Sequence, residues 1–322
     1  MRMQVKALCN LLRRQGGSVH AEPWQLEDYR ALSIEELLQR LGSWGITLTE
    51  ESFLLQAEPL DSPEELANVI GGEEPVYLLL FELWRRLLPE KESVSIFCDA
   101  LDDLIGKFEK NPEAYGNAIQ KKIDNLHMIL EESHDAGGSP HDIFAAVASY
   151  SSYDLDMFLH DYIADQIDSG HAVNAADMID DFYPYMNDPV WLDLLRARLL
   201  AVKDPHEANL LFKTILEAEE DHPDLDLLLE MATFLVHHGD PHLFHETIQK
   251  AFQLLRTEED FQELIVIMAD YYGTLDMTKE EKALQNLFAK RAQQPLAKNL
   301  SKEDPDVLSL ANFLEDADWS KI

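Results

Sequence analysis

Six side chains suited to metal or proton chemistry crowd between residues 237 and 246: His237, His238, Asp240, His242, His245 and Glu246. On a helix opening at Pro241, His242, His245 and Glu246 share a face, and His238 closes the helix before it. Three such ligands beside an open position are what a catalytic zinc requires. The order His-x-x-His-Glu is neither His-Glu-x-x-His nor its inverse, however. The cluster also straddles an inter-helix turn, where polar residues need no further role. His-Asp pairs at 134–135, 141–142 and 160–161 form a second candidate.

Helical phosphohydrolases of the HD type hold metals with a His, a His-Asp pair and a further Asp. His160-Asp161, with His134 upstream and Asp177 or Asp181 downstream, resembles that set. The surrounding stretch is rich in Asp anyway, and it offers no Lys or Arg to hold a phosphate. A Gly-rich phosphate loop, a Gly-x-Ser-x-Gly elbow and a Cys–His pairing in a known context are all missing. The sequence therefore assigns no catalytic residue, no metal ligand and no cofactor. A metal-dependent hydrolase of HD-like type stays as an alternative.

The elements that would carry these residues read as helices. A capping residue followed by proline recurs at Ser62-Pro63, Ser139-Pro140, Asp188-Pro189, Asp204-Pro205, Asp240-Pro241 and Asp304-Pro305. The capping oxygen accepts from free amides of the first turn, and proline there loses no hydrogen bond. Ser33 with Glu36 and Ser62 with Glu65 read as capping boxes. Apolar spacing of three and four follows, as in Leu211, Ile215 and Ala218. Ile46–Thr49 and Val94–Phe97 are the strand-like runs. The expected class is all-α.

Turn positions at Gly170, Asp204, Gly239 and Gly273 lie 34, 35 and 34 residues apart. They predict four helix pairs: 153–169 with 172–186, 189–203 with 205–219, 224–238 with 241–256, and 258–272 with 279–292. Such hairpins stack because none can bury its apolar face alone. The unit Asp224 to Arg256, with Gly239-Asp240 at its turn, Ala232 in the first helix and Ala251-Phe252 in the second, resembles the tetratricopeptide-repeat family. Ala175 and Ala208 fall where that family places a small residue. Its Trp and Tyr positions are not kept, and its closing proline is displaced. The resemblance covers about residues 153–292. It implies an α-solenoid of stacked antiparallel hairpins that binds a protein or peptide. The groove positions it implies are Asp226, Leu229, Thr233, Val236 and His237.

Before the array, helices are expected around 2–14, 25–41, 50–57, 63–70, 75–88, 93–109 and 112–133. The cluster Asp135 to Pro140 reads as a boundary. The organisation expected is an N-terminal helical region (1–135), the repeat array (139–295) and a C-terminal tail with a capping helix (296–322).

The chain has 322 residues, 26 Lys plus Arg and 61 Asp plus Glu, a net charge of −35. That balance argues against binding nucleic acid, which requires a basic face, and against anionic membrane. With two cysteines, Cys9 and Cys98, and no apolar run long enough to span a bilayer, a cytoplasmic protein is expected. Residues 137–273 hold 6 basic and 27 acidic side chains, and the 73 residues between Lys122 and Arg196 hold fifteen acids and no Lys or Arg. The plain reading is a solvated face. The sharper one is a surface that docks a basic or apolar protein or peptide, because ordinary exposed helices mix both signs. Asp154, Asp156, Asp161, Asp165, Asp168, Asp177, Asp180 and Asp181, with Tyr162 and Tyr185 for cation–π contact, are the expected partner-binding residues. The expected role is a non-catalytic scaffold, adaptor or chaperone. A nucleic-acid-mimicking inhibitor of a basic protein is the other alternative.

Overall fold

The computed structural model describes residues 28–219, 223–238 and 240–316. The expected helix 2–14, Cys9 and Gly239 lie outside them. The described residues are all-helical, with no strand among them, and helices that follow one another pack in pairs. By internal contacts they fall into two units, 1–159 with 184–187 and 160–183 with 188–322. Residues 135–139 fall within the first unit.

In the first unit a 3₁₀ turn, Tyr29–Ala31, precedes α1 (Ile34–Ser43), α2 (Glu50–Ala57), α3 (Pro63–Ile70), α4 (Glu74–Leu87), α5 (Val94–Phe108), α6 (Pro112–Asp135) and α7 (Pro140–Ala148). α8 (Leu155–Asp168) begins here and ends in the second unit. The expected 25–41 helix is split by Ser33. That residue caps α1 in a full box with Glu36, so its own backbone is extended. Ser62 accepts from the Glu65 amide, but the Glu65 carboxylate accepts from the backbone amide of Asp61 instead of that of Ser62. Val94–Phe97 is the first turn of α5, capped by Ser93, and Ile46–Thr49 is a connection.

α4 packs against α1, α2 and α3 and buries Leu80, Leu83 and Trp84. Its Arg86 donates to the carbonyl of Arg30 at 2.9 Å and to the Glu82 carboxylate, fixing the 3₁₀ turn. Lys91 reaches the carbonyl of Leu60 at 3.1 Å and those of Ala57 and Glu58, gathering the oxygens where α2 ends. Buried Asp102 accepts from Ser151 Oγ and from the Ser152 amide and hydroxyl, which sets the chain before α8.

The second unit continues with α9 (Ala172–Phe182), α10 (Val190–Lys203), α11 (Pro205–Ala218), α12 (Leu225–His238), α13 (Pro241–Leu254), α14 (Glu258–Thr274), α15 (Thr278–Arg291) and α16 (Pro305–Asp316). The pairs α10–α11, α12–α13 and α14–α15 are hairpins, stacked α10 on α12 on α14. Gly170 takes the left-handed conformation that ends α8 (φ +79°). Asp204 alone joins α10 to α11, closing one and capping the other through the Glu207 amide. The fourth turn is longer than that at Asp204, running from Thr274 to Thr278. Gly273 lies inside α14, and the left-handed position falls on Asp276 (φ 56°). Asp accepts that conformation better than most side chains.

One core runs through these hairpins. Ala232 and Ala251 are wholly buried, as their place in the repeat requires, and Phe244 stacks on Tyr271 at 3.8 Å. The stack is closed by an ionic junction at the base of the last hairpin. Glu258, the first residue of α14, and Arg291, the last of α15, are 1% and 5% exposed. Arg291 Nε donates to Glu258 at 2.8 Å and Nη1 to Asp304 at 2.7 Å. The guanidinium holds the Glu258 and Asp304 carboxyls below their usual range.

Because the folded-state pKa values of Glu258 and Asp304 are lowered, their stabilisation is complete above the unfolded values and is lost as pH falls through the folded ones. Glu258→Gln should therefore cost about 3 kcal/mol at pH 7, the scale of breaking a buried pair. In urea titrations that difference from wild type should shrink as pH drops below about 4.5. A difference independent of pH would remove Glu258 ionisation from the junction.

Candidate functional site

The carboxylates singled out by the sequence divide between the two units. In the first, Asp154 is exposed and caps α8 through the Met157 amide at 3.2 Å. Asp156 is half-buried, and burial followed by the Asp154 charge raises its pKa. Tyr185 is 4% exposed, with its ring edge-on to His127 at 6.3 Å. Tyr162, in the second unit, is 3% exposed. Neither ring reaches solvent. This corrects the expectation that both present aromatic faces to a partner: Tyr162 lies on the buried side of α8, and Tyr185, in the turn after α9, is buried among the core residues of its own unit.

In the second unit Asp161, Asp165 and Asp168 are exposed along α8, and Asp177, Asp180 and Asp181 along α9. Asp165 has its pKa raised, first by burial and then by Asp168 and Asp161, so the three charges feel one another.

Two arginines of α10 reach back into this acid, which the count along the chain concealed. Arg196 donates to Asp180 at 2.9 Å and Asp193 at 3.0 Å, and lies over the Tyr183 ring at 5.0 Å. Arg198 donates to Asp168 at 3.0 Å and to Glu230 of α12 at 3.2 Å, with the Phe234 ring 5.6 Å away. His160 completes the second cluster. It is 8% exposed, with Nδ1 3.3 Å from Asp161, Nε2 3.5 Å from Glu230, and its ring edge-on to Trp191 at 5.1 Å. Glu230 went unnoticed in the sequence because no spacing rule connects it to Asp168, 62 residues earlier. The signal available was the i, i+2 spacing of Arg196 and Arg198, which sends the two side chains to different sides of a helix.

A second acidic face lies on α12 and α14. Glu263 has its pKa raised by burial and by Asp226, Asp260 and Glu259. Among the described residues, no Lys or Arg lies within ion-pair distance of Glu263, Asp226 or Glu259. Of the groove positions implied by the repeat resemblance, Asp226, Thr233 and His237 are exposed, whereas Leu229 and Val236 belong to the core.

For the hydrolase candidates, His134 Nδ1 is 3.0 Å from the Gly138 carbonyl, an end-of-helix contact. His238 rests against Phe234 at 4.9 Å, and burial and His242 lower the pKa of His245. Among the described residues, no three His, Cys, Asp or Glu side chains are grouped to hold a metal ion. Cys98 is buried, with its thiol pushed up to about 12 by that burial. A cleft of about 500 Å³ opens at Gly71-Gly72 between α3 and α4. It carries Glu73 and Glu74, and the hydroxyl of its Tyr77 donates to Glu64 at 2.6 Å. Among the described residues, no helix is long and apolar enough to cross a membrane.

Comparison with known proteins gives no match to a family model, a curated protein or a solved structure.

The two arginines should differ in weight. Arg198 is 12% exposed at its side chain and joins three helices, whereas Arg196 is 36% exposed. Arg198→Ala should cost about 2 kcal/mol through lost charge-assisted hydrogen bonds, and Arg196→Ala roughly 0.5 kcal/mol. Equal shifts in thermal midpoint would refute this ranking.

Proposed function

We propose that the protein is a non-catalytic interaction protein, a scaffold, adaptor or chaperone of tetratricopeptide-like type, whose acidic repeat surface docks a basic or apolar protein or peptide. The observation that carries this reading is the surplus of carboxylate on α8. Asp165 sits exposed between Asp161 and Asp168 with its pKa raised, and Arg198 is committed to Asp168 and Glu230. Like charges at such spacing cost an isolated helix a few tenths of a kcal/mol per pair. A cationic segment laid along α8 would relieve that repulsion, and complementary fields speed encounter and select partners. The same logic extends to Asp226, Glu259 and Glu263. A cytoplasmic setting accords with this role.

The reading is tested with a fluorescein-labelled peptide alternating Lys or Arg with Leu, and a Glu–Leu peptide as control. The basic peptide should bind with an affinity that falls steeply from 50 to 300 mM salt; the acidic one should not bind. Asp161→Asn with Asp165→Asn, which leaves the Arg198 contacts in place, should weaken binding about fivefold at low salt and flatten the salt dependence. An unchanged affinity at low salt would reduce α8 to a solvated face.

A further inference from the structure

The last helix of the second unit sits on the array by means different from those that stack the hairpins. Residues 292–304 form a non-helical connector. Its middle part is bound backbone to backbone: Glu258 N–H donates to the Lys298 carbonyl at 2.8 Å, Glu259 N–H to Leu296 at 3.1 Å, and Leu300 N–H to Arg256 at 2.7 Å. Two first-turn amides of α14, which no helix satisfies internally, thus find acceptors in the connector. α16 follows, with Val307, Leu310 and Leu314 buried at i, i+3 and i+7 and Phe313 edge-on to Tyr272 at 5.5 Å. Its other side, including Leu308, Ser309, Asn312 and Glu315, is exposed. The seat beneath is built by α14 and α15, whose Tyr272, Leu284 and Phe288 belong to the same apolar cluster.

At the rim of this seat stand Lys290 and Arg291. Asp304 caps α16 through the Asp306 amide at 2.9 Å and accepts from Arg291, while Asp306 pairs with Lys290 at 2.5 Å and Arg291 at 3.3 Å. Arg291 keeps its bidentate partner Glu258 whether or not α16 is present, because Glu258 belongs to α14. Its Nη1 is therefore held in place for a carboxylate arriving with a helix. α16 itself has twelve residues. An isolated helix of that length is marginal in water, so α16 depends on the seat for its stability.

We propose that this seat is a binding site for an amphipathic helix that carries carboxylates at its N-terminal end and apolar residues at i, i+3 and i+7. α16 is its intramolecular occupant, displaceable by a partner helix of the same chemistry. The mode is helix-in-groove recognition. It is independent of the acidic surface proposed above and selects the opposite charge.

The experiment uses the full chain and a fluorescein-labelled peptide with the sequence of residues 303–316. In native-state hydrogen exchange of the wild type, α16 amides should exchange on the order of tenfold or more faster than those of α14, opening without the array. Equal protection of the two helices overturns the proposal. In the full chain carrying Leu310→Asp and Leu314→Asp, the peptide should bind on the order of tenfold more tightly than it binds the wild type, because the seat is vacated. A peptide with Asp304→Asn and Asp306→Asn should lose most of that gain. If the variant keeps its helical circular dichroism and gains no peptide binding, the proposal fails. If the variant does not fold, exchange decides: added peptide should raise α16 exchange in the wild type, and no change overturns the idea. Dimers forming with concentration through exchanged α16 helices would support the seat and name a second copy as its partner.

Discussion

The second unit depends on how two arginines spend their charge. α10 is the first element after 73 residues without a Lys or Arg, and it delivers Arg196 and Arg198 two positions apart. Residues at that spacing stand about 200° apart around a helix. Arg196 accordingly turns to Asp180 of α9, and Arg198 to Asp168 of α8 and Glu230 of α12. Apolar packing is non-directional and would tolerate several registers of neighbouring helices. A guanidinium with two fixed acceptors tolerates far fewer. The acid excess thus becomes a means of fixing α8, α10 and α12 against one another.

Arg291 solves a different problem with the same side chain. Its guanidinium and Glu258 are almost fully removed from water, where separating them would leave a bare charge. Gln262 donates to both Glu258 and the Arg291 carbonyl, so the remaining hydrogen-bonding capacity is largely used. Such a junction adds little net attraction over well-packed apolar groups, but it penalises any other pairing of the ends of α14 and α15. At Arg198 the partners are half in water, and the contact tunes alignment; at Arg291 they are buried, and the contact specifies which ends meet.

Much of the fold was legible in the sequence because helix starts and apolar periods are local signals. α2 and α3 fall at their expected bounds, and the eight helices α8 to α15 begin and end within a few residues of theirs. The errors were also local. Val94–Phe97 has strand-like composition, yet Ser93 caps it into a helix, and α14 runs one residue past Gly273, with the left-handed backbone on Asp276 in the turn that follows. The candidate site was less legible, since it depends on contacts between residues far apart in the chain. Tyr162 and Tyr185 were grouped with the acids by proximity in sequence, although a residue next to an exposed Asp on a helix, as Tyr162 is to Asp161, points elsewhere. The contacts of Arg198 with Asp168 and Glu230 required the stacking of hairpins before any of them could be seen.

A net charge of −35 overstates what a partner would meet. Some of the acid is consumed in starting helices, as at Asp204, Asp240 and Asp304, whose oxygens satisfy first-turn amides. Some serves as counter-ion to the few arginines, as at Asp168, Asp180, Asp193, Glu230 and Glu258. Each of those carboxylates has a reason to exist in the folded chain alone. Asp165 and Glu263 have no such reason, because folding brings them toward other carboxylates and leaves them without a cation among the described residues. Selection for solubility would be satisfied by acids spread over any exposed face. On the reading proposed above, a cationic partner would supply the compensating charge that the acids on α8, α12 and α14 meet otherwise only in the salt around them.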